Sequence, residues 1–313
     1  MKFTKQFQSF FLAIAVAVAL VACGGGSSSG VTTSTAANVA ITNANAQAVA
    51  RDAYQALEAS DDFPLKANDN AGSSSIAIVT LPRFLRDIVI SNAGIRNAQF
   101  VARVEQCDVG FITIPDTSTG FGTYIFSNCS LAGITINGSV TISGSGDLNG
   151  SAFSGSFVFS QFSISGSGVP QTINLNGTLA FSWSIVAAIE TGTVSGNYSV
   201  TVGSNSITVS GLSISYTSNL STGENTETVS YTITSSAIGG TVTVATIQPF
   251  LSLDSEPYPR AGQLLITGAN GSKLRFTVLG SGQPSGQVRI EVDSDGDDVY
   301  EDSSEISWAT LDS

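Results

Sequence analysis

The 313-residue chain contains no histidine. That excludes Ser-His-Asp and Cys-His catalysis and every zinc site that needs an imidazole. Charge is also scarce: Asp, Glu, Lys and Arg together make up 12% of the residues, and no Lys or Arg occurs between Arg103 and Arg260. The charges present are unbalanced, 12 basic against 24 acidic, for a formal net charge of −12. A chain this acidic is a poor partner for nucleic acid or for an anionic lipid surface. Cysteine is limited to Cys23, Cys107 and Cys129, with no CxxC pair, so the common redox and zinc spacings are absent. Lys66 and Lys273 lie in no recognisable Ser-Lys motif. A carboxylate pair for sugar hydrolysis can be drawn only from Glu190, Glu224 and Glu227, and the last two sit in "STGENTET", which reads more simply as a solvated hairpin loop. No enzyme is expected.

The first residues concern location. "MKFTKQ" carries two lysines and is followed by the apolar run "FFLAIAVAVALVA", Phe10 to Ala22. A membrane span needs about 20 such residues, whereas a basic start and a short apolar stretch are the marks of a secretory signal peptide, here residues 1–22. Leu20-Val21-Ala22-Cys23 resembles a bacterial lipobox. The resemblance implies that Cys23 receives a diacylglyceryl group, becomes the mature N-terminus and is acylated there. Each buried CH₂ adds about 0.8 kcal/mol, and two chains anchor stably. The partner is then a membrane, held through lipid and not crossed. Gly24 stands where an aspartate would favour the inner membrane, which implies the outer one, with the domain facing the periplasm or the cell surface. Residues 23–37 form the lipidated cysteine and a Gly/Ser tether reaching about 20 Å, taking roughly 5–6 Å × √n for a flexible chain. Loss of Lys2 and Lys5 with the signal takes the net charge from −12 to −14.

In an oxidising compartment the remaining pair, Cys107 and Cys129, is expected to form a structural disulfide. A hairpin folded at Ser118 sets the two cysteines opposite each other, Phe111 against Ile125 and Ile112 against Tyr124. Such a bridge contributes about 3 kcal/mol in the chain-entropy model.

Residues 38–108 read as a helical segment. Ala46, Val49, Ala50, Ala53, Tyr54 and Leu57 recur at i, i+3, i+4, the spacing of an amphipathic helix, with Thr42 or Asn43 as its cap. A weaker helix is expected in "LPRFLRDIVISNA". From residue 109 to 313 the period becomes two. Ile134, Ile136, Gly138, Val140 and Ile142 alternate with polar residues, and Ile173, Leu175, Gly177, Leu179, Phe181 and Trp183 do the same. Asn137-Gly138 is normally a hairpin signal, but the alternation keeps its phase through the pair, so one continuous strand is expected there. The two segments share an apolar-x-apolar-Asn-Gly-x-apolar pattern, a weak repeat. Phase slips at Gln161-Phe162 and Gly211-Leu212 predict bulges or turns. Trp183, Tyr198, Tyr216 and Tyr231 all fall in the apolar phase and are expected in the core. Roughly a dozen strands with short turns predict a mainly β fold, an antiparallel meander curling into a barrel- or sandwich-like domain behind one or two N-terminal helices. An outer-membrane barrel shares the alternation, but the strands read as shorter than its usual ~9–11 residues and no aromatic girdle is evident.

The lipobox, "ITNANAQAVARDAY", "YIFSNCSLAGITINGS" and the C-terminal "GQLLITGANGSKLRF…VRIEVDSDGDD…SWATL" together resemble a group of uncharacterised proteobacterial outer-membrane lipoproteins. The resemblance covers most of the mature chain and implies envelope attachment and a β-rich domain. It implies no activity. The expected role is non-catalytic: structural, adhesive or binding. A carrier of lipid or another apolar ligand is the alternative, and a calcium-stabilised surface module the third. Lipid, glycan and protein all stay open as ligands.

One stretch stands apart in charge. In "EVDSDGDDVYED" acidic residues fall at positions 1, 3, 5 and 12 counted from Glu291, namely Glu291, Asp293, Asp295 and Asp302, with Asp297 between and Gly296 at position 6. This is similar to an EF-hand-type loop, where oxygen ligands alternate and glycine makes the sharp turn. Calcium is the cofactor that pattern suggests. Glu at position 1, Asp298 at position 8 and strand-like flanks depart from it, and an Asp295-Gly296 turn between two strands accounts for the same residues without an ion.

Overall fold

The computed structural model describes residues 37–61, 103–115, 121–131, 134–146, 151–166 and 169–311. The signal peptide, Cys23, the tether and the second expected helix at 81–93 lie outside the described residues.

Among the described residues one antiparallel sheet dominates, and its fourteen strands lie side by side in chain order. They are β1 (Arg103–Gln106), β2 (Val109–Ile114), β3 (Gly122–Leu131), β4 (Ile134–Gly146), β5 (Ala152–Gly166), β6 (Val169–Val186), β7 (Ile189–Val202), β8 (Asn205–Asn219), β9 (Glu224–Ser235), β10 (Gly240–Leu253), β11 (Ala261–Thr267), β12 (Lys273–Val278), β13 (Gln287–Asp293) and β14 (Asp302–Ser307). The fold is mainly β and a meander, as the alternation predicts. Among the described residues the meander stays open: β1 and β14 each have a single neighbour in the sheet. The sheet also begins at Arg103, inside the segment assigned to helix. The central strands are longer than their sequence pieces indicate. "SITVSG" and "LSISYTS" are one 15-residue strand, β8, because a bulge resets the phase without ending the strand.

The central strands β4 to β9 turn most of their apolar residues to one buried face and their hydroxyls to the other, the pleat's period of two made visible. Phe157 and Phe181 meet edge to face at 5.0 Å, and Phe126 and Phe162 at 5.6 Å. Tyr198, Tyr216 and Tyr231 are buried as expected, and Trp183 is partly buried, stacked on Phe153 at 4.5 Å.

A line of bulges crosses β3 to β8, and the Asn-Gly pairs belong to it. Asn128, Gln161 and Gly211 have φ of 46°, 50° and 61°, and the register slips at each. A bulge leaves an N–H off the ladder. Here Asn137 Oδ1 accepts the Asn128 N–H at 2.7 Å, Asn176 Oδ1 that of Gln161 at 2.7 Å, and Asn197 Oδ1 that of Gly211 at 2.8 Å. The following glycine serves the strand on the other side. A Cβ on Gly138 would lie 2.2 Å from the Gln161 carbonyl oxygen, and one on Gly177 would lie 2.4 Å from that of Asn197. The strands do run on through both pairs, and the phase slips at Gln161 and Gly211 are bulges. The weak sequence repeat is the repeat of this device.

Cys107 and Cys129 lie at disulfide distance, with Cα atoms 5.3 Å apart. The β2–β3 hairpin that joins them has a different register from the expected one. Phe111 faces Ser127 and Ile112 faces Phe126. These pairs are offset by two residues from symmetric folding about Ser118, and the slip at Asn128 adds one residue more.

Helix α1 (Ala46–Asp61) buries Ala46, Val49, Ala50, Ala53 and Tyr54. The residue before it is Asn45, whose Oδ1 accepts the Thr42 N–H at 2.9 Å and whose amide donates to the Ala40 carbonyl at 3.0 Å. Asn45, and not Thr42 or Asn43, therefore ties down the helix entry. Tyr54 lies 5.6 Å from Phe276 and 4.8 Å from Trp308, so the helix docks on the C-terminal third of the sheet. Trp308 opens a short second helix, α2 (Trp308–Leu311). Residues 37–41 run alongside: the Val39 N–H donates to the Thr241 carbonyl at 3.0 Å, and the Ile41 N–H to Ser272 Oγ at 2.9 Å.

Candidate metal-binding loop

Strands β13 and β14 are joined by 294–301, the acidic stretch. Carboxylate oxygens of Asp293, Asp295, Asp297 and Glu301 lie within 4.8 Å of one another. Three of these are residues the sequence pattern singles out. Glu301 is an addition, and Glu291 and Asp302 are left out.

The reason is strand geometry. Glu291 is registered with Arg275 on β12, and the guanidinium takes both its oxygens at 2.8 Å. Asp302 opens β14, opposite Val292. The alternation of ligands thus starts at Asp293, two residues later than the count from Glu291. With that start Asp295, Asp297 and Glu301 fall at positions 3, 5 and 9 and Val299 at position 7, the place of a backbone carbonyl ligand in such loops, but Gly296 moves to position 4 and Asp298 takes the glycine's place at position 6. Taking Asp293 as the start would have found Glu301 in the sequence.

The loop is also tied by its own side chains. Asp293 is fully buried. Its Oδ1 accepts the Gly296 N–H at 2.6 Å and its Oδ2 the Asp298 N–H at 3.0 Å. Asp295 Oδ1 accepts from the Asp297 N–H at 3.3 Å, Asp297 Oδ1 from the Val299 N–H at 2.8 Å, and Glu301 Oε2 from the Ser294 N–H at 3.2 Å. Lys273 approaches Asp293 Oδ2 at 3.6 Å and pairs closely with Asp298. Desolvation alone would raise the Asp293 carboxyl pKa. The N–H groups of Gly296 and Asp298, the Lys273 ammonium and the Asp297 N–H outweigh it and hold that pKa below the usual carboxylate value. Glu291 is held low as well, chiefly by its hydrogen bonds to Arg275. Arg275 in turn lies 4.1 Å from the centre of the Tyr300 ring, a cation–π contact that fixes the loop's far side.

Chemically the loop offers hard oxygens, the ligand type of calcium, alongside a hydrogen-bonded turn that needs no ion to close. Of the residues considered for sugar hydrolysis, Glu190 is buried while Glu224 is exposed and Glu227 partly buried, and Glu224 accepts from the Thr222 hydroxyl at the turn.

No family model matches the chain, and no curated protein or solved structure is significantly similar to it.

Proposed function

We propose that the chain is a lipid-anchored module of the bacterial cell envelope with a non-catalytic binding or structural role, attached through Cys23 to the outer membrane. The observation that carries the reading is the exposed face of β6–β9. It presents Thr178, Thr191, Thr193, Ser215 and Thr228, exposed, and Ser182, half-buried, among other hydroxyl and amide side chains, with Glu224 at the start of β9 its one exposed carboxylate among the described residues. Hydroxyls pair across the strands, as Ser182 and Thr193 do at 2.8 Å. Such a surface suits broad, neutral, hydrogen-bonding contact with an envelope polymer or protein. The aromatic pairs on the opposite face favour a packed interior over a carrier's cavity. Calcium bridging Asp293, Asp295, Asp297 and Glu301 would add rigidity to the C-terminal end in a compartment where the ion is plentiful.

The anchor is tested by expressing the full-length protein with radiolabelled palmitate. Label on the wild type, its loss in Cys23→Ala and release of that variant from the membrane fraction are expected. Equal labelling, or none in either protein, would sink the reading.

A further inference from the structure

On the buried face of the sheet, near the β6–β7 and β8–β9 turns, three polar side chains stand in one cross-strand row. Glu190 of β7 is registered with Ser218 of β8, and Ser218 with Asn225 of β9. Their exposures are 4%, 1% and 9%. Glu190 Oε1 accepts the Tyr216 hydroxyl at 2.8 Å. The Asn225 amide nitrogen donates to the Gly223 carbonyl at 3.3 Å and to Asp254 Oδ1 at 2.9 Å, which fixes its oxygen toward the row. The remaining oxygens, Glu190 Oε2, Ser218 Oγ and Asn225 Oδ1, have no hydrogen-bond partner. One orphaned buried polar group costs about 1–3 kcal/mol. Ser218 stands directly opposite each of the others, its Cβ about 4.5–5.5 Å from theirs, while the outer two, Glu190 and Asn225, are two strand spacings apart, about 9.5 Å, a gap that their longer side chains must close over the serine.

The donor set says what the guest is. A carboxylate, a hydroxyl and an amide oxygen are hard oxygens carrying one negative charge, and only the hydroxyl has a proton to give. What the row lacks is positive charge, and the chain supplies none nearby in sequence: Glu190 sits in the middle of the stretch from Arg103 to Arg260 that has no Lys or Arg. We propose that the Glu190–Ser218–Asn225 row is a cation site, taking a hard oxygen-seeking ion of the calcium class with water completing its shell. Tyr216 orients the carboxylate, and Asp254 orients the amide. The site is separate from the acidic loop between β13 and β14 and draws on no residue of it.

Terbium, a calcium-like ion whose emission is excited through nearby Trp and Tyr rings, is a direct probe, since Tyr216 touches the Glu190 carboxylate. The full-length protein carrying Asp293→Asn, Asp295→Asn, Asp297→Asn and Glu301→Gln takes the whole carboxylate cluster of the acidic loop out of the measurement. In that background, saturable terbium emission displaced by calcium is expected, with affinity falling at least tenfold on adding Glu190→Gln and severalfold on adding Ser218→Ala. Ser218→Ala decides the matter alone if Glu190→Gln does not fold. No emission in the loop-silenced protein, or emission indifferent to the variant tested, overturns the proposal.

Discussion

Asp52 shows how much one carboxylate can matter in a chain with so few charges. It lies on the buried face of helix α1, where the Ser235 hydroxyl donates to it at 2.6 Å and Arg51 stands 3.9 Å away. Desolvation raises its pKa above the ordinary Asp value, and the Ser235 bond and Arg51 only partly offset that. The folded state therefore holds the proton more tightly than the unfolded chain does. Below the unfolded pKa both are neutral and nothing is lost, while above it the ionised buried group weighs against folding. Asp52→Asn keeps an acceptor for Ser235 and is expected to raise the melting temperature at pH 7 by the few degrees that about 1 kcal/mol moves a domain of this size. The gain should vanish near pH 3. A variant less stable at both pH values would mean that the carboxylate is needed for the contact itself.

At the scale of elements the bulge line and the acidic loop make separate predictions. Asn176→Ala leaves the exposed Gln161 N–H to water and should cost about 0.5–1.5 kcal/mol, read from chemical denaturation. Asn174, as exposed as Asn176 but paired with Ser163 away from the bulge, should cost less when changed to Ala. Equal losses would show that the side-chain cap is incidental. For the loop, melting of the full-length protein in EDTA and then in millimolar calcium, with magnesium as control, is expected to show a calcium-specific rise that Asp293→Asn with Asp295→Asn abolishes. Independently of any ion, the depressed Asp293 and Glu291 pKa values contribute stability that is present above the ordinary carboxylate range and lost as the pH falls through their folded values. Much of this was legible in the sequence. The Asn-Gly pairs read correctly as strand because period-two alternation reports the face of every side chain. The register of the β2–β3 hairpin did not read correctly, because neither the two-residue offset of its pairs nor the one-residue slip at Asn128 leaves a mark in composition. The start of the carboxylate cluster at Asp293 was hidden for a related reason: whether Glu291 joins the cluster or pairs with Arg275 depends on the strand beside it. The buried row of Glu190, Ser218 and Asn225 carried no local signal at all, since its members come from three strands.

Across the whole molecule, helix α1 is the long-range element. Tyr54 reaches Phe276 and Trp308, and the Tyr231 hydroxyl donates to the Ala53 carbonyl. Truncating Tyr54 to Ala should cost roughly 3–5 kcal/mol, the range for a buried large aromatic, while leaving the far-ultraviolet β signal of the sheet in place. Loss of that signal together with the helix would show that the sheet cannot stand without it.

The sheet's topology also dictates an order of assembly. Every strand finds its partners immediately before and after itself in the chain, so pairing needs no distant segment to arrive and each loop to be closed is short. A polypeptide emerging end first can zip one hairpin onto the last. The N-terminal clasp cannot follow that order: Ile41 must wait for Ser272, some 231 residues later, before its N–H is satisfied. The first part of the domain to emerge is thus the last to be fastened, and until then the C-terminal third lacks its cover.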